Sequence, residues 1–198
     1  MSVLAGNDGE RSRRRIAYLS PYFWPETIGS GPYSTELALD LRRRGHKVDV
    51  LAFRPHYPTP EPYAAWAHGA RDRETHEGVS IRRVPAQPRG DGGFRERARN
   101  DLRYLRAVMA AALAGGPAET DTIIAYVPGT LAALGAAFVK WRTGARLIVI
   151  VHDIESGLAA SLGIVRQAAL IRLMRLIERL ALGRADRVVV LSEGMRDE

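Results

Sequence analysis

The sequence contains no cysteine and almost no lysine. Only two of its 29 basic residues, Lys47 and Lys140, are lysines. The lack of cysteine excludes disulfides, thiol catalysis and cysteine-ligated zinc, and no apolar run approaches the roughly 18 residues that span a membrane. No apolar segment precedes the first predicted strand, so we expect no signal peptide and a cytoplasmic protein. Residues 1–14 are expected to form a disordered basic tail.

The composition is typical of one soluble α/β domain. The chain has 198 residues, of which 46% are hydrophobic and 26% charged, and its net charge is +7. A chain of this length can bury a substantial core. The positive charge favours anionic partners such as phosphorylated substrates, acidic lipid or nucleic acid. Arginines scattered over a solvated surface explain the same charge equally well.

Predicted strands and helices alternate along the chain. Short apolar runs predict strands over residues 15–20, 47–53, 79–84, 121–127, 146–151 and 187–191. Helical periodicity predicts helices over residues 33–44, 94–113, 130–142 and 165–182, with residues 54–78 as a long loop. This order, with nearly continuous apolar strands, favours an α/β fold of Rossmann-like, doubly wound type. We expect a mainly parallel sheet of six or seven strands with helices on both faces.

In such a sheet, ligands bind at the carboxyl ends of the strands. That rule directs attention to four segments: residues 20–33, 54–60, 127–130 and 152–157. The first holds Gly29, Ser30 and Gly31 ahead of a predicted helix, where free N–H groups can bind a phosphate. Ser34 stands where the third glycine of a dinucleotide fingerprint would be, so a plain tight turn is the other interpretation.

Aromatic and titratable side chains follow two of the strands. Tyr22, Phe23 and Trp24 stand at the end of the first strand, where they either pack in the core or form a wall for a sugar ring. His152 and Asp153 follow the buried fifth strand and can form a general acid–base pair. A structural histidine with satisfied hydrogen bonds is the alternative. We find no sequence pattern that predicts a metal site.

The predicted helix over residues 165–182 alternates arginines with leucine, isoleucine and methionine. Arg166, Arg172, Arg175 and Arg179 lie along it. A basic amphipathic helix can lie on an anionic membrane. Its apolar residues nearly surround it, however, and a helix that covers a sheet explains them as well.

Several ordered motifs resemble those of family 4 glycosyltransferases. They are Tyr22-Phe-Trp-Pro-Glu26, the Gly29, Gly31 and Tyr33 spacing, Leu41-Arg-Arg-Arg-Gly-His-Lys-Val-Asp-Val50, His56-Tyr-Pro58, Val151-His-Asp-Ile154 and Arg184–Met195. The resemblance covers residues 16–195 and is nearest to the branch that builds colanic acid and other bacterial envelope polysaccharides.

The resemblance implies the N-terminal, acceptor-side half of a two-domain GT-B enzyme. Such an enzyme transfers a sugar from a nucleotide-diphosphate donor with retention and without a bound metal or cofactor. The resemblance places Gly29, Ser30 and Gly31 near the donor diphosphate and His152 on the transferred sugar. It implies an acceptor pocket formed by Tyr22, Phe23, Trp24, Glu26, Tyr33, His56 and Tyr57.

The implied acceptor is a glycan or a polyprenyl-diphosphate-linked sugar at the inner membrane face, which suits a basic surface and peripheral membrane contact. The family's donor-binding helix, with two glutamates eight residues apart, has no counterpart in this sequence. We therefore expect residues 15–198 to form the acceptor-side domain alone, without transferase activity. Exposed apolar surface on such a half predicts a homodimer.

Two other functions fit parts of the sequence. The first is an NADP-binding oxidoreductase or nucleotide-binding module, in which Arg54 at the end of the second strand would accept the 2′-phosphate. Asp49 lies inside that strand rather than at its end. The second is a basic, non-enzymatic module that binds lipid or nucleic acid. No nucleic-acid-binding motif is recognisable, and we expect no nucleic-acid partner.

Overall fold

A computed structural model describes residues 13–86, 94–114, 119–127, 130–152 and 168–196. Its strands are β1 Arg15–Leu19, β2 Lys47–Phe53, β3 Arg73–His76, β4 Val79–Val84, β5 Thr122–Val127, β6 Arg146–Val151 and β7 Arg187–Val190. Its helices are α1 Gly31–Arg43, a 3-10 helix over Glu61–Trp66, α2 Phe94–Leu113, α3 Thr130–Thr143, α4 Ala168–Leu182 and α5 Glu193–Arg196.

The seven strands form one sheet in the order β3-β4-β2-β1-β5-β6-β7. Every pairing is parallel except that of β3 with β4. If the antiparallel edge strand β3 is left out, the six remaining strands have the order of a doubly wound sheet. In such a sheet the chain adds strands first on one side of β1 and then on the other. The reversal lies between β1 and β5, where Ile16 is in register with both Val48 and Thr122.

The central strands of the sheet are apolar on both sides because helices cover both of its faces. Ile16 and Tyr18 of β1 face one cluster, which contains Ala38 of α1. Ala17 of the same strand faces the other cluster, to which α2, α3 and α4 contribute. Side chains of a strand alternate between faces, so the central strands β1, β2, β5 and β6 supply both cores. The structure therefore confirms the mainly parallel, two-faced α/β fold.

Helix α1 ends where the sequence predicts. Gly45 follows the last helical turn with a φ of 91°, which a glycine adopts without steric cost. The N–H of Gly45 donates to the carbonyl of Arg42, and the N–H of His46 donates to that of Leu41. These bonds satisfy carbonyls that the helix end leaves free. The helix begins at Gly31, two residues before its predicted start.

The prediction of a long loop over residues 54–78 is wrong. The segment contains the 3-10 helix and the edge strand β3, which forms a hairpin with β4. The turn is Glu77-Gly78, with φ values of 46° and 81°, as a two-residue hairpin turn of primed type requires. Strand β3 has the sequence Arg-Glu-Thr-His and so lacks the apolar alternation that predicts a strand.

The N-terminal boundary differs slightly from the predicted one. Residues 1–12, most of the predicted tail, lie outside the described residues. The carbonyl of Arg14 already accepts a hydrogen bond from the N–H of Lys47 at 2.9 Å. Regular pairing therefore starts just before β1. None of the helices that the structure describes combines the length and the hydropathy needed to cross a membrane.

Candidate functional site

The candidate site lies at the carboxyl ends of the parallel strands, where the strand order reverses. The β1–α1 loop forms its centre, the segment after β2 adjoins that loop, and His152 follows β6. Ligand sites in doubly wound sheets occupy this position because neighbouring loops diverge there and leave a crevice.

Buried hydroxyl groups attach the start of α1 to the end of β1. Ser34 Oγ lies 2.7 Å from Ser20 Oγ and 3.2 Å from the Tyr18 hydroxyl. Tyr18 in turn donates to the backbone carbonyl of Ser34, and Ser20 donates to that of Tyr22. Burial raises the pKa of Tyr18 above its ordinary value. Ser34, which occupies the position of a third fingerprint glycine, therefore fixes the helix against the strand.

The glycines of the first loop allow two close approaches. Gly29 has a φ of 66°, and a Cβ there would lie 3.5 Å from the ring of Tyr57. A Cβ on Gly31 would lie 3.0 Å from the carbonyl oxygen of Glu26. Ser30 occupies the N-cap position of α1, and its side chain makes no capping hydrogen bond. It therefore leaves the first-turn amides of α1 without a side-chain cap.

Glu26 joins the β1–α1 loop to the segment that follows β2. Its Oε1 accepts hydrogen bonds from the backbone N–H groups of His56 and Tyr57, each at 2.9 Å. The residue is 4% exposed, and burial raises the pKa of its carboxyl from 4.5 to about 7. A carboxyl this deeply buried supports the two loops, and it offers little surface to an acceptor.

Four predicted pocket aromatics divide between surface and core. Tyr22 is half-buried and stacks on His56, with ring centroids 5.7 Å apart, and its ring lies edge-on to Tyr57. His56 is itself buried. Phe23 is also buried and packs against Tyr18 in the core. Tyr22 and Tyr57 therefore keep some exposed surface, whereas Phe23 packs in the core, which was the other interpretation of this aromatic run.

Trp24 belongs to a second aromatic cluster, built on the segment that was predicted as a loop. Its ring stacks on His76 with a centroid distance of 4.1 Å and an interplanar angle of 11°. It also meets Trp66 of the 3-10 helix edge-on at 5.8 Å. The β3–β4 hairpin and the 3-10 helix therefore pack against the β1–α1 loop at Trp24.

Arg83 and Glu74 hold this second cluster in place, and sequence reasoning missed both. The buried guanidinium of Arg83 donates to Glu74 Oε1 and Trp24 O, each at 2.5 Å, and to Phe53 O at 3.1 Å. Trp66 Nε1 donates to the same Glu74 oxygen. The sequence does contain a signal for Arg83. Buried and exposed residues alternate along β4, and this alternation places Arg83 on the same buried face as Val79 and Ile81.

His152 lies between two tyrosines at the opening of the crevice. Its ring centroid is 6.0 Å from that of Tyr33 and 5.7 Å from that of Tyr126. Tyr33 stands on the first turn of α1 and is 66% exposed, whereas Tyr126 is buried. The fold therefore brings His152 to the glycine loop, 119 positions away from Tyr33. Asp153, its predicted partner, lies outside the described residues.

The guanidinium of Arg54 is already occupied. It donates to both carboxylate oxygens of Asp72, each at 2.7 Å, and to the carbonyl of Ala67 at 3.0 Å. A bidentate pair of this kind uses the donors that a 2′-phosphate would need. Among the residues that the structure describes, no three or more acidic or histidine side chains are grouped so that they could hold a metal ion.

These features define a class of protein. A parallel sheet that reverses its strand order at β1 and β5 is a Rossmann-like domain, and domains of this kind bind small ligands at that point of the sheet. The family follows from a sequence match: the model for the glycosyl transferase 4-like domain covers residues 29–198. The chain belongs to that family.

One curated relative and two solved structures give further comparisons. The relative is WcaI of Escherichia coli (strain K12), whose provisional name describes a colanic acid biosynthesis glycosyl transferase; it is 26% identical over 180 residues. The match covers 88% of this chain and 43% of WcaI, so the chain spans less than half of its relative.

The structure of MT0777 is similar with a TM-score of 0.46 and 11% identity, over 91% of this chain and 86% of that one. A protein of unknown function, VPA0982 of Vibrio parahaemolyticus RIMD 2210633, gives a TM-score of 0.42 and 14% identity, over 93% and 97% of the two chains. Both scores lie below 0.5, and the fold assignment rests on the sheet topology and the family match.

Proposed function

We propose that this chain is the acceptor-side domain of a retaining, metal-independent glycosyltransferase. The enzyme would transfer a sugar from a nucleotide-diphosphate donor to a glycan or polyprenyl-diphosphate-linked acceptor in envelope polysaccharide synthesis. The observation that carries the proposal is the meeting of His152 with Tyr33 beside the glycine loop, at the reversal point of a glycosyl transferase 4-like domain. The similarity to WcaI supports the polysaccharide context.

The donor side of the proposal rests on the start of α1. The amides that follow Ser30, with the positive end of the helix dipole, suit the donor diphosphate. Gly29 and Gly31 let the backbone approach it closely. His152 would donate a hydrogen bond to a hydroxyl of the transferred sugar, and Asp153 is its proposed acid–base partner.

The acceptor side rests on aromatic residues that are at least partly exposed. Tyr22, Trp24, Tyr33 and Tyr57 keep some accessible ring area that can pack against the apolar side of a sugar. Glu26 and His56 act one layer deeper, because the carboxylate of Glu26 fixes the backbone that carries Tyr57. In this assignment Phe23 contributes to the core beneath the pocket.

Catalysis would require a second domain for the donor nucleotide. The chain spans 43% of WcaI, and a donor bound only at the start of α1 would lack contacts to its base. We propose that the 198-residue chain alone does not turn over sugar nucleotides. A dimer of this chain is a further proposal, and analytical ultracentrifugation over a range of concentrations tests it.

The NADP-binding alternative has lost its main support. Its phosphate ligand, Arg54, is held by Asp72 in a bidentate pair, and the family match favours a transferase. Fluorescence titration with NADPH distinguishes the two, because a transferase domain should give no saturable signal.

The experiment that tests the proposal uses the full-length gene product. UDP-, GDP- and dTDP-sugars are incubated with membrane extract, and labelled sugar in lipid-linked or polymeric product is measured. His152→Ala should lower kcat/KM about 100-fold, the usual effect of losing a positioned acid, base or hydrogen-bond donor. His68→Ala, an exposed histidine of the segment after β2, should change nothing. Equal turnover by both variants would overturn the role of His152, and the absence of transfer with every donor would overturn the assignment.

A further inference from the structure

A cavity of about 500 Å³ lies against the edge of the sheet formed by β2, β3 and β4, and we call it the edge cavity. Five of its polar lining residues are Asp49 of β2, Arg73 and Thr75 of β3, and Ser80 and Arg82 of β4. Pockets that bind small molecules measure roughly 300–1,000 Å³, so the edge cavity has the size of such a site. None of these five residues belongs to the loops that form the crevice at the strand ends. The edge cavity is therefore a separate place on the domain.

The register of the sheet places these five side chains on one face. Arg73 is in register with Arg82, and Thr75 is in register with Ser80, across the β3–β4 hairpin. Ser80 is also in register with Asp49 of β2. Side chains in register on neighbouring strands lie on the same face of a sheet, and alternate residues along a strand share that face. The edge cavity therefore presents two arginines directly opposite each other, beside a row of two hydroxyls and one carboxylate.

This part of the sheet is open because helix α2 packs further along β2. The hydroxyl of Tyr104 on α2 donates to the carbonyl of Leu51 at 2.6 Å, and both residues belong to the same core cluster. Asp49 lies two positions before Leu51 on the same face and is half-buried. The four other side chains of the edge cavity are exposed. A ligand can therefore reach them without disturbing the core.

The two arginines of the edge cavity have no anionic partner in the described part of the chain. Neither Arg73 nor Arg82 makes an ion pair or a side-chain hydrogen bond with a described residue. The carboxylates of Asp72 and Glu74, which adjoin Arg73 in the sequence, bind other arginines instead. Like charges directly opposite each other on neighbouring strands destabilise a sheet. An anion bound between the two guanidinium groups would remove this repulsion.

The other polar groups of the edge cavity suit a ligand that carries hydroxyls. The hydroxyls of Thr75 and Ser80 can donate and accept hydrogen bonds, whereas the carboxylate of Asp49 accepts them. Asp49 Oδ2 lies 3.7 Å from Lys47 Nζ, which offsets part of its negative charge. A nucleic acid would stack its bases on aromatic rings, and none of the described lining residues is aromatic. The lining therefore matches a sugar that carries an acidic group.

We propose that the edge cavity binds an acidic saccharide, whose sugar unit carries a carboxylate or a phosphate. Arg73 and Arg82 would hold the anionic group, because the guanidinium fork matches two oxygens of a carboxylate or a phosphate. Thr75, Ser80 and Asp49 would form hydrogen bonds with hydroxyls of the sugar ring. The edge cavity lies outside the crevice, so it adds a saccharide contact beyond the proposed donor and acceptor positions.

The test is a titration of the 198-residue chain at low ionic strength, followed by the NMR shifts of its backbone amides. The probes are D-glucuronate, D-glucose 6-phosphate, D-glucose and inorganic phosphate. The acidic sugars should shift the amides of Thr75, Ser80 and Arg82, and the tighter of the two identifies the anionic group. Glucose should shift none of these amides. Inorganic phosphate should bind about fivefold more weakly than glucose 6-phosphate, because it lacks the ring hydroxyls and one hydrogen bond contributes a factor of this order.

Two double variants separate the anion from the sugar ring. Arg73→Gln, Arg82→Gln should weaken the binding of the acidic sugars by about tenfold or more, since hydrogen bonds to charged groups contribute at least this factor. Thr75→Val, Ser80→Ala should still bind inorganic phosphate and should lose the preference for glucose 6-phosphate. All four side chains are exposed, so both variants should fold, and circular dichroism checks this.

The matched control removes two arginines from α1, on the other face of the sheet. Arg43→Gln, Arg44→Gln lowers the net charge equally and should weaken binding by less than about twofold, because neither side chain lines the edge cavity. Equal losses in both arginine variants, or no loss in either, would overturn the proposal. Equal affinity for inorganic phosphate and glucose 6-phosphate would also overturn it, as would amide shifts confined to the β1–α1 loop. The measurement is of binding alone, so this proposal stands or falls separately from the glycosyltransferase assignment.

Discussion

The backbone N–H of His56 donates a hydrogen bond to the Oε1 of Glu26 at 2.9 Å, across 30 residues of sequence. The bond connects the loop that follows β1 with the segment that follows β2. It therefore fixes the relative positions of two parts of the candidate site that come from different strands. The carboxyl that accepts it is buried, and burial raises its pKa to about 7.

Glu26→Gln should remove a pH dependence of stability. The folded-state pKa of Glu26 is raised from 4.5 to about 7, so its protonated form favours folding. This contribution to the free energy of unfolding is on the order of 3 kcal/mol. It is complete below pH 4.5 and is lost as the pH rises through 7. Glutamine keeps an oxygen for both N–H donors and does not ionise. Urea denaturation at pH 5 and pH 8.5 should show this loss in the parent chain and not in the variant.

The matched control for this prediction is Glu36→Gln, an exposed glutamate of α1. Its pH profile should follow that of the parent chain. An unchanged profile in Glu26→Gln would contradict the raised pKa of Glu26.

Gly31→Ala should destabilise the domain although alanine is the better helix former. The added Cβ would lie 3.0 Å from the carbonyl oxygen of Glu26 and 3.2 Å from its Cβ. Overpacking of this kind costs about 1–3 kcal/mol, more than the ~1 kcal/mol that alanine gains over glycine in a helix. Thermal unfolding measures the difference. Gly194→Ala, where the nearest atom is 4.0 Å away, should cost nothing, and equal melting temperatures for the two variants would refute the clash.

Arg83→Met should be strongly destabilising, by about 3–5 kcal/mol. It would leave Glu74 as a carboxylate without its buried partner, and two backbone carbonyls without their donor. The neighbouring Arg82 is exposed, and Arg82→Met should cost less than ~0.5 kcal/mol. Chemical denaturation of both variants gives the comparison. Similar stabilities would show that Arg83 does not hold the loops together.

Tyr33→Ala should lower sugar transfer by the full-length enzyme without lowering stability. The ring is 66% exposed, so its removal leaves no cavity in the core. Loss of a ring that stacks on an acceptor or steadies His152 should lower kcat/KM by at least tenfold. Steady-state kinetics and a melting curve on the same preparation test this. A lower melting temperature with normal kcat/KM would assign Tyr33 a structural role instead.

Much of the fold could be predicted because the signals are local. The six parallel strands are apolar runs, and Gly45 marks the end of α1 with a backbone conformation that glycine adopts easily. Strand β3 could not be predicted in this way, because its residues are polar and its burial is partial. Its presence depends on pairing with β4, a contact that a residue-by-residue pattern does not contain.

The candidate site was predicted less completely than the fold. Position after a strand drew attention to Tyr33 and His152, and the structure brings their rings together, since strand ends share one edge of a parallel sheet. Position alone could not distinguish Tyr22, which keeps surface, from its neighbour Phe23, which lies in the core. Nor could it identify Arg83, because an arginine is usually exposed.

The sequence by itself determined the alternation of strands and helices, the parallel sheet and the family, because hydrophobic periodicity and ordered motifs are properties of neighbouring residues. Only the tertiary structure decided which groups meet. Glu26 is buried with a raised pKa because His56 and Tyr57 return to it from a different strand. The exposed leucines of α4 point outward because α3 and the core occupy its other side. Burial and electrostatics depend on surroundings assembled from distant parts of the chain, and these exist only after folding.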